Sequence, residues 1–171
     1  LDAFLVSTPE NRRYLSGFTG SAGYLLISRD DAVLATDFRY VEQAQKQAPD
    51  YRVLRITGSL DWFPSLLAEL KARKVGFEAD NLTYAAYQQY TKALQEKAAE
   101  NGVSLVATRG VVEELRAVKY PEEVAAIQRA IDQADQAFEA VERTSEPGKT
   151  ERQVAWRLER TMREMGADSV S

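Results

Sequence analysis

Six short apolar runs set the terms on which this chain can fold: residues 3–6, 22–27, 32–36, 51–56, 74–78 and 103–107. Most are nearly continuous in apolar character rather than alternating, which is the signature of strands covered on both faces. The later runs are separated by helical patterns of crossover length, Phe38 to Ala48 stopped by Pro49, Leu60 to Arg73, and Thr83 to Glu100 ended by Asn101-Gly102. Only the polar turn Ser28 to Asp31 is too short for a crossover, so the pair of strands it joins is expected to be antiparallel. The sum is an α/β fold, a three-layer mixed β-sheet with helices on both faces.

Between the first and second runs the chain reads Asn11-Arg-Arg-Tyr-Leu-Ser-Gly-Phe-Thr-Gly-Ser-Ala-Gly23. Glycines at 17, 20 and 23, around Phe18 and Ser21, require a backbone that turns tightly or is approached closely. They do not form a phosphate cradle, because their spacing fits neither the Walker nor the dinucleotide pattern and a strand follows where a helix is needed. Nucleotide binding is therefore not expected.

The absences narrow the chemistry further. With no histidine and no cysteine among 171 residues, triads, thiol nucleophiles and His-rich metal sites are excluded from within the chain. Lack of cysteine fits a reducing compartment, and with no signal peptide at the start a cytoplasmic location is expected. No apolar run approaches transmembrane length, so no membrane partner is expected. Lysine plus arginine balance aspartate plus glutamate at 13 each over residues 1–110, whereas 111–171 hold 9 and 13 and carry the whole net charge of −4. The step implies a domain boundary near residue 110, and neither half has the basic stripe that nucleic acid demands.

Beyond that boundary the pattern is helical. A short amphipathic piece, Val111 to Val118, precedes Pro121, which occupies a first helical position with Glu122 and Glu123 in the first turn. Val124, Ile127, Ile131, Ala134, Phe138 and Val141 then draw one narrow apolar stripe. Pro147-Gly148 breaks it, Thr150 with Gln153 has the spacing of a capping box, and a second helix carries Val154, Leu158, Met162 and Met165 before Gly166. Such a stripe is larger than a finished soluble domain usually leaves bare, and Trp156 faces another way, so a fragment ending at Ser171 is expected.

Asn11, Tyr14 to Phe18, Gly20, Ser21 and Gly23, followed by Thr36-Asp37-x-Arg39-Tyr40, resemble the N-terminal creatinase/prolidase-type domain of Xaa-Pro aminopeptidases and Xaa-Pro dipeptidases. Leu115-Arg116-x-Val118-Lys119-x-Pro121 and the run Pro147 to Arg163 resemble the first helices of that family's pita-bread catalytic domain. The resemblance implies a creatinase/prolidase-type domain over 1–110 and, over 111–171, a linker and the opening of an incomplete catalytic domain. It further implies a homodimeric metallopeptidase that cleaves the Xaa-Pro bond of short proline-containing peptides with two divalent ions (Mn, Co or Zn). The five metal ligands of the family have no counterpart in this sequence. No catalytic group, metal ligand or cofactor is therefore expected in the chain, which alone should be inactive and should lack a C-terminal catalytic domain as its partner. Two alternatives stand beside this: a non-catalytic binding or oligomerisation module, and a creatinase-like enzyme that breaks a carbon–nitrogen bond without metal.

Three residues are candidates for the substrate cleft or dimer interface. Asp37 is a plausible N-cap, but Arg39 in a first helical turn opposes the dipole and needs a carboxylate from another segment or subunit. The resemblance instead places Arg39 and Tyr40 at the mouth of a catalytic cleft. Phe18 is either part of a tight connection or, by the same resemblance, on a pocket rim or dimer surface. The architecture is also similar to ribonuclease-H-like nucleases, in which clustered acids bind Mg²⁺; here Asp30, Asp31, Asp37, Glu78 and Asp80 are explained by caps and turns. Tyr84, Tyr87 and Tyr90 have the spacing of a packed helix face, and Trp62 and Phe63 that of packing at a helix start.

Overall fold

The computed structural model describes residues 1–97, 102–144 and 147–169. They form two compact units, Leu1–Arg116 and Ala117–Ser171. In the first, strands β1 (Ala3–Val6), β2 (Tyr24–Ser28), β3 (Ala32–Thr36), β4 (Arg52–Arg55), β5 (Lys74–Glu78) and β6 (Ser104–Thr108) make one sheet in the order β4-β3-β2-β1-β5-β6. Only β2 runs against its neighbours; the β1–β5, β3–β4 and β5–β6 pairs are parallel. The tight turn holds β2 and β3 antiparallel, with Ser28 N–H bonded to Asp31 O at 2.8 Å.

Register sorts the apolar runs onto two faces. Leu5 is paired with Leu26 and Leu26 with Val33, and all three enter a core with Phe63, Leu66 and Leu67 of α3 (Trp62–Glu69) and Tyr90 and Leu94 of α4 (Tyr84–Lys97). Their sequence neighbours Val6, Leu25 and Leu34, equally in register, enter a second core with Phe18 and with Ala44 of α2 (Val41–Gln47), against which Leu15 of α1 (Pro9–Ser16) also packs. Period-two alternation through continuously apolar strands thus feeds two cores, and helices cover both faces as expected.

The helix bounds differ from the sequence pattern at instructive places. Pattern reading passes over α1, although Pro9 stands in its first turn and Gly17 closes it in the left-handed region at φ 74°. The expected start of α2 at Phe38 moves to Val41, because Asp37 closes a separate turn. The α3 helix stops at Glu69 rather than Arg73: Lys71 turns left-handed at φ 54°, and Ala72 N–H returns to Leu67 O at 3.0 Å and Lys71 N–H to Ala68 O at 3.2 Å, a Schellman closure built without glycine. The expected end of the α4 segment at Glu100 and Asn101 lies outside the described residues. Of the three tyrosines, Tyr90 is buried and Tyr87 packs against the core, while Tyr84 is exposed.

Helix α5 (Val111–Ala117) belongs to the first unit except for its last residue, so that unit ends at Arg116, six positions beyond the charge step at 110. Val112 is buried, and polar contacts to α1 tie the rest down. The second unit is a helical hairpin of α6 (Pro121–Arg143) and α7 (Glu151–Glu164). Pro121 opens α6, with Tyr120 N–H bonded to Glu123 Oε2 at 2.9 Å, and Thr150 and Gln153 form a reciprocal capping box at 2.9 and 3.3 Å. Ala137 and Val141 are buried, whereas Val124, Ile127, Ile131 and Phe138 remain exposed by 46–59%.

Candidate functional site

The carboxyl ends of β1, β3 and β4 open on one edge of the sheet, where the antiparallel β2 begins and the glycine-rich loop crosses. In an α/β sheet this edge is where crevices form. Here the loop is held by an arginine. Arg12, on α1, is only 3% exposed and donates from its two terminal nitrogens to the carbonyls of Gly20 and Gly23, each at 2.6 Å. Its guanidinium carbon lies 5.6 Å from the centre of the Phe18 ring. Burial pulls this guanidinium below the ordinary arginine value.

Phe18 is fully buried, not placed at a rim. The geometry of the loop makes this unavoidable: a Cβ on Gly20 would stand 2.2 Å from the Phe18 ring, so the loop backbone lies directly on the aromatic side chain. Gly20 is glycine for close approach, and Gly17 for the left-handed cap. Edge-on to Phe18, at 6.0 Å between centroids, sits Tyr40, whose hydroxyl meets Ser21 Oγ at 2.7 Å. Phe18 and Tyr40 are therefore joined, but only the second reaches the surface.

Asp37 follows β3 and folds back on its own segment. Its Oδ1 accepts from the backbone N–H of Arg39 at 2.9 Å and from Arg39 Nε at 3.1 Å, and its Oδ2 from an Arg39 terminal nitrogen at 2.7 Å. The arginine's carboxylate partner is thus two residues away, where another segment or subunit was expected. These Arg39 bonds hold the Asp37 carboxyl below the usual carboxylate range and the guanidinium above its own. Arg39 also lies 5.2 Å from the Tyr40 ring centre and keeps 57% side-chain exposure, which makes it the most accessible of the three candidates.

A cavity of about 460 Å³ lies at this edge, lined among others by Arg12, Ser21, Tyr24, Asp37, Gly58 and Trp62. Trp62 stacks on Tyr24 at 5.8 Å.

At the end of β5 the polar residues do structural work. Glu78 Oε2 accepts the backbone N–H groups of Ser7 and Thr8 at 2.6 and 2.7 Å, satisfying donors ahead of α1. Its Oε1 accepts from Asn11 Nδ2 at 2.7 Å, and the same amide donates to Glu113 Oε1 at 2.5 Å while Asn11 Oδ1 accepts from Arg116 at 2.7 Å. Glu78 thus ties the chain ahead of α1 to the end of β5, a long-range contact where a local cap or turn was expected; the Asn11–Glu113–Arg116 bridge was not foreseen. Asp30, Asp31 and Asp80 do not join it. Among the described residues no group of three or more His, Cys, Asp or Glu side chains is placed to hold a metal ion, so the residues present do not fit one.

Comparison with known proteins agrees with the fold. The profile of the Creatinase/Prolidase N-terminal domain fits residues 1–118. An uncharacterized peptidase of Bacillus subtilis, YqhT, is 37% identical over the full chain, which covers 47% of its length. A solved Xaa-Pro dipeptidase from Bacillus anthracis superposes with TM-score 0.90 at 39% identity, covering 98% of this chain and 46% of its own. The N-terminal domain of a cytoplasmic peptidase, PepQ, from Mycobacterium tuberculosis superposes with TM-score 0.60 at 41% identity over 67% of this chain and 87% of its own. The chain spans about half the length of the relatives that it matches end to end.

Proposed function

The chain belongs to the creatinase/prolidase N-terminal domain family of Xaa-Pro peptidases, and on that premise we propose that it is the N-terminal part of a metal-dependent enzyme cleaving the Xaa-Pro bond of short peptides. The observation that carries the proposal is the full-length match to an Xaa-Pro dipeptidase nearly twice as long. In this reading the chain shapes the cleft and supports a homodimer, while two divalent ions and the groups that use them reside in a C-terminal catalytic domain. What this chain contributes is a rigid edge: Arg12 fixes the loop, and the Asp37 turn presents Arg39 and Tyr40 in a fixed geometry at that edge. Placement in the cytoplasm, supported by the absence of cysteine, completes the proposal.

The test is hydrolysis of an Xaa-Pro dipeptide and an Xaa-Pro-headed tripeptide, with Mn²⁺ or Co²⁺ added. The 171-residue chain should show no turnover, and the longer protein that contains it should show metal-dependent release of the residue before proline. Turnover by the pure chain would refute this location of the chemistry. A longer protein that binds metal yet leaves both peptides intact would favour a non-catalytic module.

A further inference from the structure

The two outer strands of the sheet are not equally protected. Strand β4 closes one side with Arg52 and Arg55, both exposed, and charged side chains are the usual guard against further pairing. Strand β6 closes the other with Ser104-Leu-Val-Ala-Thr108, which holds no charge and no proline. Its bonds toward β5 fix its backbone directions: Ser104 N–H donates to Arg73 O at 2.7 Å and Ala79 N–H to Thr108 O at 3.0 Å, so residues 104, 106 and 108 turn their peptide groups inward. The N–H and C=O groups of Leu105 and Ala107 therefore point away from the sheet, and no described strand pairs with them. Between them Val106 is 37% exposed, and Ala107 is exposed as well. An uncharged edge of this kind is a template for one more strand.

We propose that β6 pairs antiparallel with β6 of a second copy of this chain, joining the two six-stranded sheets across a two-fold axis at Val106. The register follows from the outward groups alone. Leu105 of each copy exchanges its backbone bonds with Ala107 of the other, which sets Val106 opposite itself as the closer, non-hydrogen-bonded pair. The partner is a second copy because the two-fold satisfies every outward group of the edge and lays its exposed valine on an identical valine, a favourable cross-strand contact. Charge raises no obstacle. Arg109, which follows the strand, is ion-paired with Asp80 at 3.2 Å, and across the axis it stands roughly 20 Å along the strand from its own copy, beyond the screening length. Assembly stops at two, since the contact closes on itself and the β4 side is guarded. The inference rests on the homodimeric part of the reading above and names its surface, using residues of the first unit only.

The test is sedimentation of the 171-residue chain over a wide range of concentration, with amide exchange followed residue by residue. The chain should pass from monomer to dimer with a Kd on the order of 100 μM, as a small interface gives. Exchange at Leu105 and Ala107 should slow as the protein is concentrated, while Ser104, Val106 and Thr108, turned toward β5, should not change. Val106→Lys and Val106→Glu each set like charges face to face at the axis and should weaken pairing at least tenfold. Mixed in equal amounts the two variants should pair again, because position 106 meets only position 106. Ala107→Pro removes a donor that the fold does not use, so it should melt close to the parent and yet stay monomeric. A monomer at every concentration, a dimer whose Leu105 and Ala107 exchange is unaltered, or a mixture that pairs no better than either charged variant alone would each overturn the proposal. No readout here involves a peptide or a metal, so a chain that pairs while the longer protein leaves Xaa-Pro peptides intact keeps this inference and loses the peptidase one.

Discussion

Replacing Asn11 tests how the first unit is closed. Its side chain is fully buried and makes three charge-assisted bonds, to Glu78 at 2.7 Å, to Glu113 at 2.5 Å and from Arg116 at 2.7 Å. Bonds to charged groups contribute about 1.5–3 kcal/mol each. The simple sum, about 4.5–9 kcal/mol, overstates the loss, because the three share one amide and Glu113 and Arg116 can turn to water. Glu78, 7% exposed, has less freedom to do so. Asn11→Ala should therefore cost about 3–4 kcal/mol, which at a urea m-value of about 2 kcal/mol/M lowers the midpoint by about 1.5–2 M. Trp62 fluorescence in a Trp156→Phe background reports the first unit specifically. Asn11→Asp sharpens the test, since it keeps the shape but points a third carboxylate at two others. That carboxyl titrates higher folded than unfolded, so the variant should approach the parent in acid and fall away as pH rises through the folded pKa. A midpoint shift below about 0.5 M for Asn11→Ala, or an Asn11→Asp gap that widens in acid, would show that the bridge does not hold α5.

Three further outcomes follow from the same geometry. Gly20→Ala places a Cβ 2.2 Å from the Phe18 ring, and should destabilise by about 1–3 kcal/mol in thermal melts, the usual cost of overpacking. Phe18→Ala removes a fully buried ring and should cost about 3–5 kcal/mol in urea; a cost under 1 kcal/mol would return Phe18 to a rim. Asn11, foremost, holds the Glu113 carboxyl below its ordinary range, so Glu113 stabilises the fold above its unfolded pKa and ceases to as pH falls through the folded one. Glu113→Gln should therefore be less stable than the parent at neutral pH, by at most about 1 kcal/mol for so exposed a group, and should converge on it only once pH has fallen below the folded pKa.

The sheet was legible because its signal is apolar: all six strands, their count and the antiparallel turn can be read from runs of Val, Leu, Ile and Ala. Helix α1 was not, for a physical reason. The residues it buries are Asn11, Arg12 and Ser16, a helical spacing in polar side chains to which hydrophobic periodicity is blind. Its cap signals, Pro9 and Gly17, were present but carry weight only once a helix is sought. Arg12 is indistinguishable in sequence from Arg13 beside it, and only the fold shows that one is buried and the other exposed. Arg39 was read correctly as needing a carboxylate, but a search aimed at distant segments misses a partner two residues away. The site was thus half visible: its glycines and its Asp-x-Arg-Tyr run could be named, while the buried arginine that organises them could not.

That arginine changes what the glycine-rich loop is for. A loop with three glycines in seven residues has a large conformational entropy to lose, and nothing in its spacing binds phosphate. Two carbonyls fastened to one guanidinium and a backbone laid on the Phe18 ring restrict it from both sides. Ser21 then meets Tyr40 from a loop already fixed, and Tyr40 carries the guanidinium of Arg39 beside its ring. Order passes outward in that sequence, from a buried cation to an exposed one. A change at Arg12 should therefore loosen the Asp37–Tyr40 turn without touching it, whereas a change at Arg39 should leave the loop as it is, because its bonds all close on its own segment.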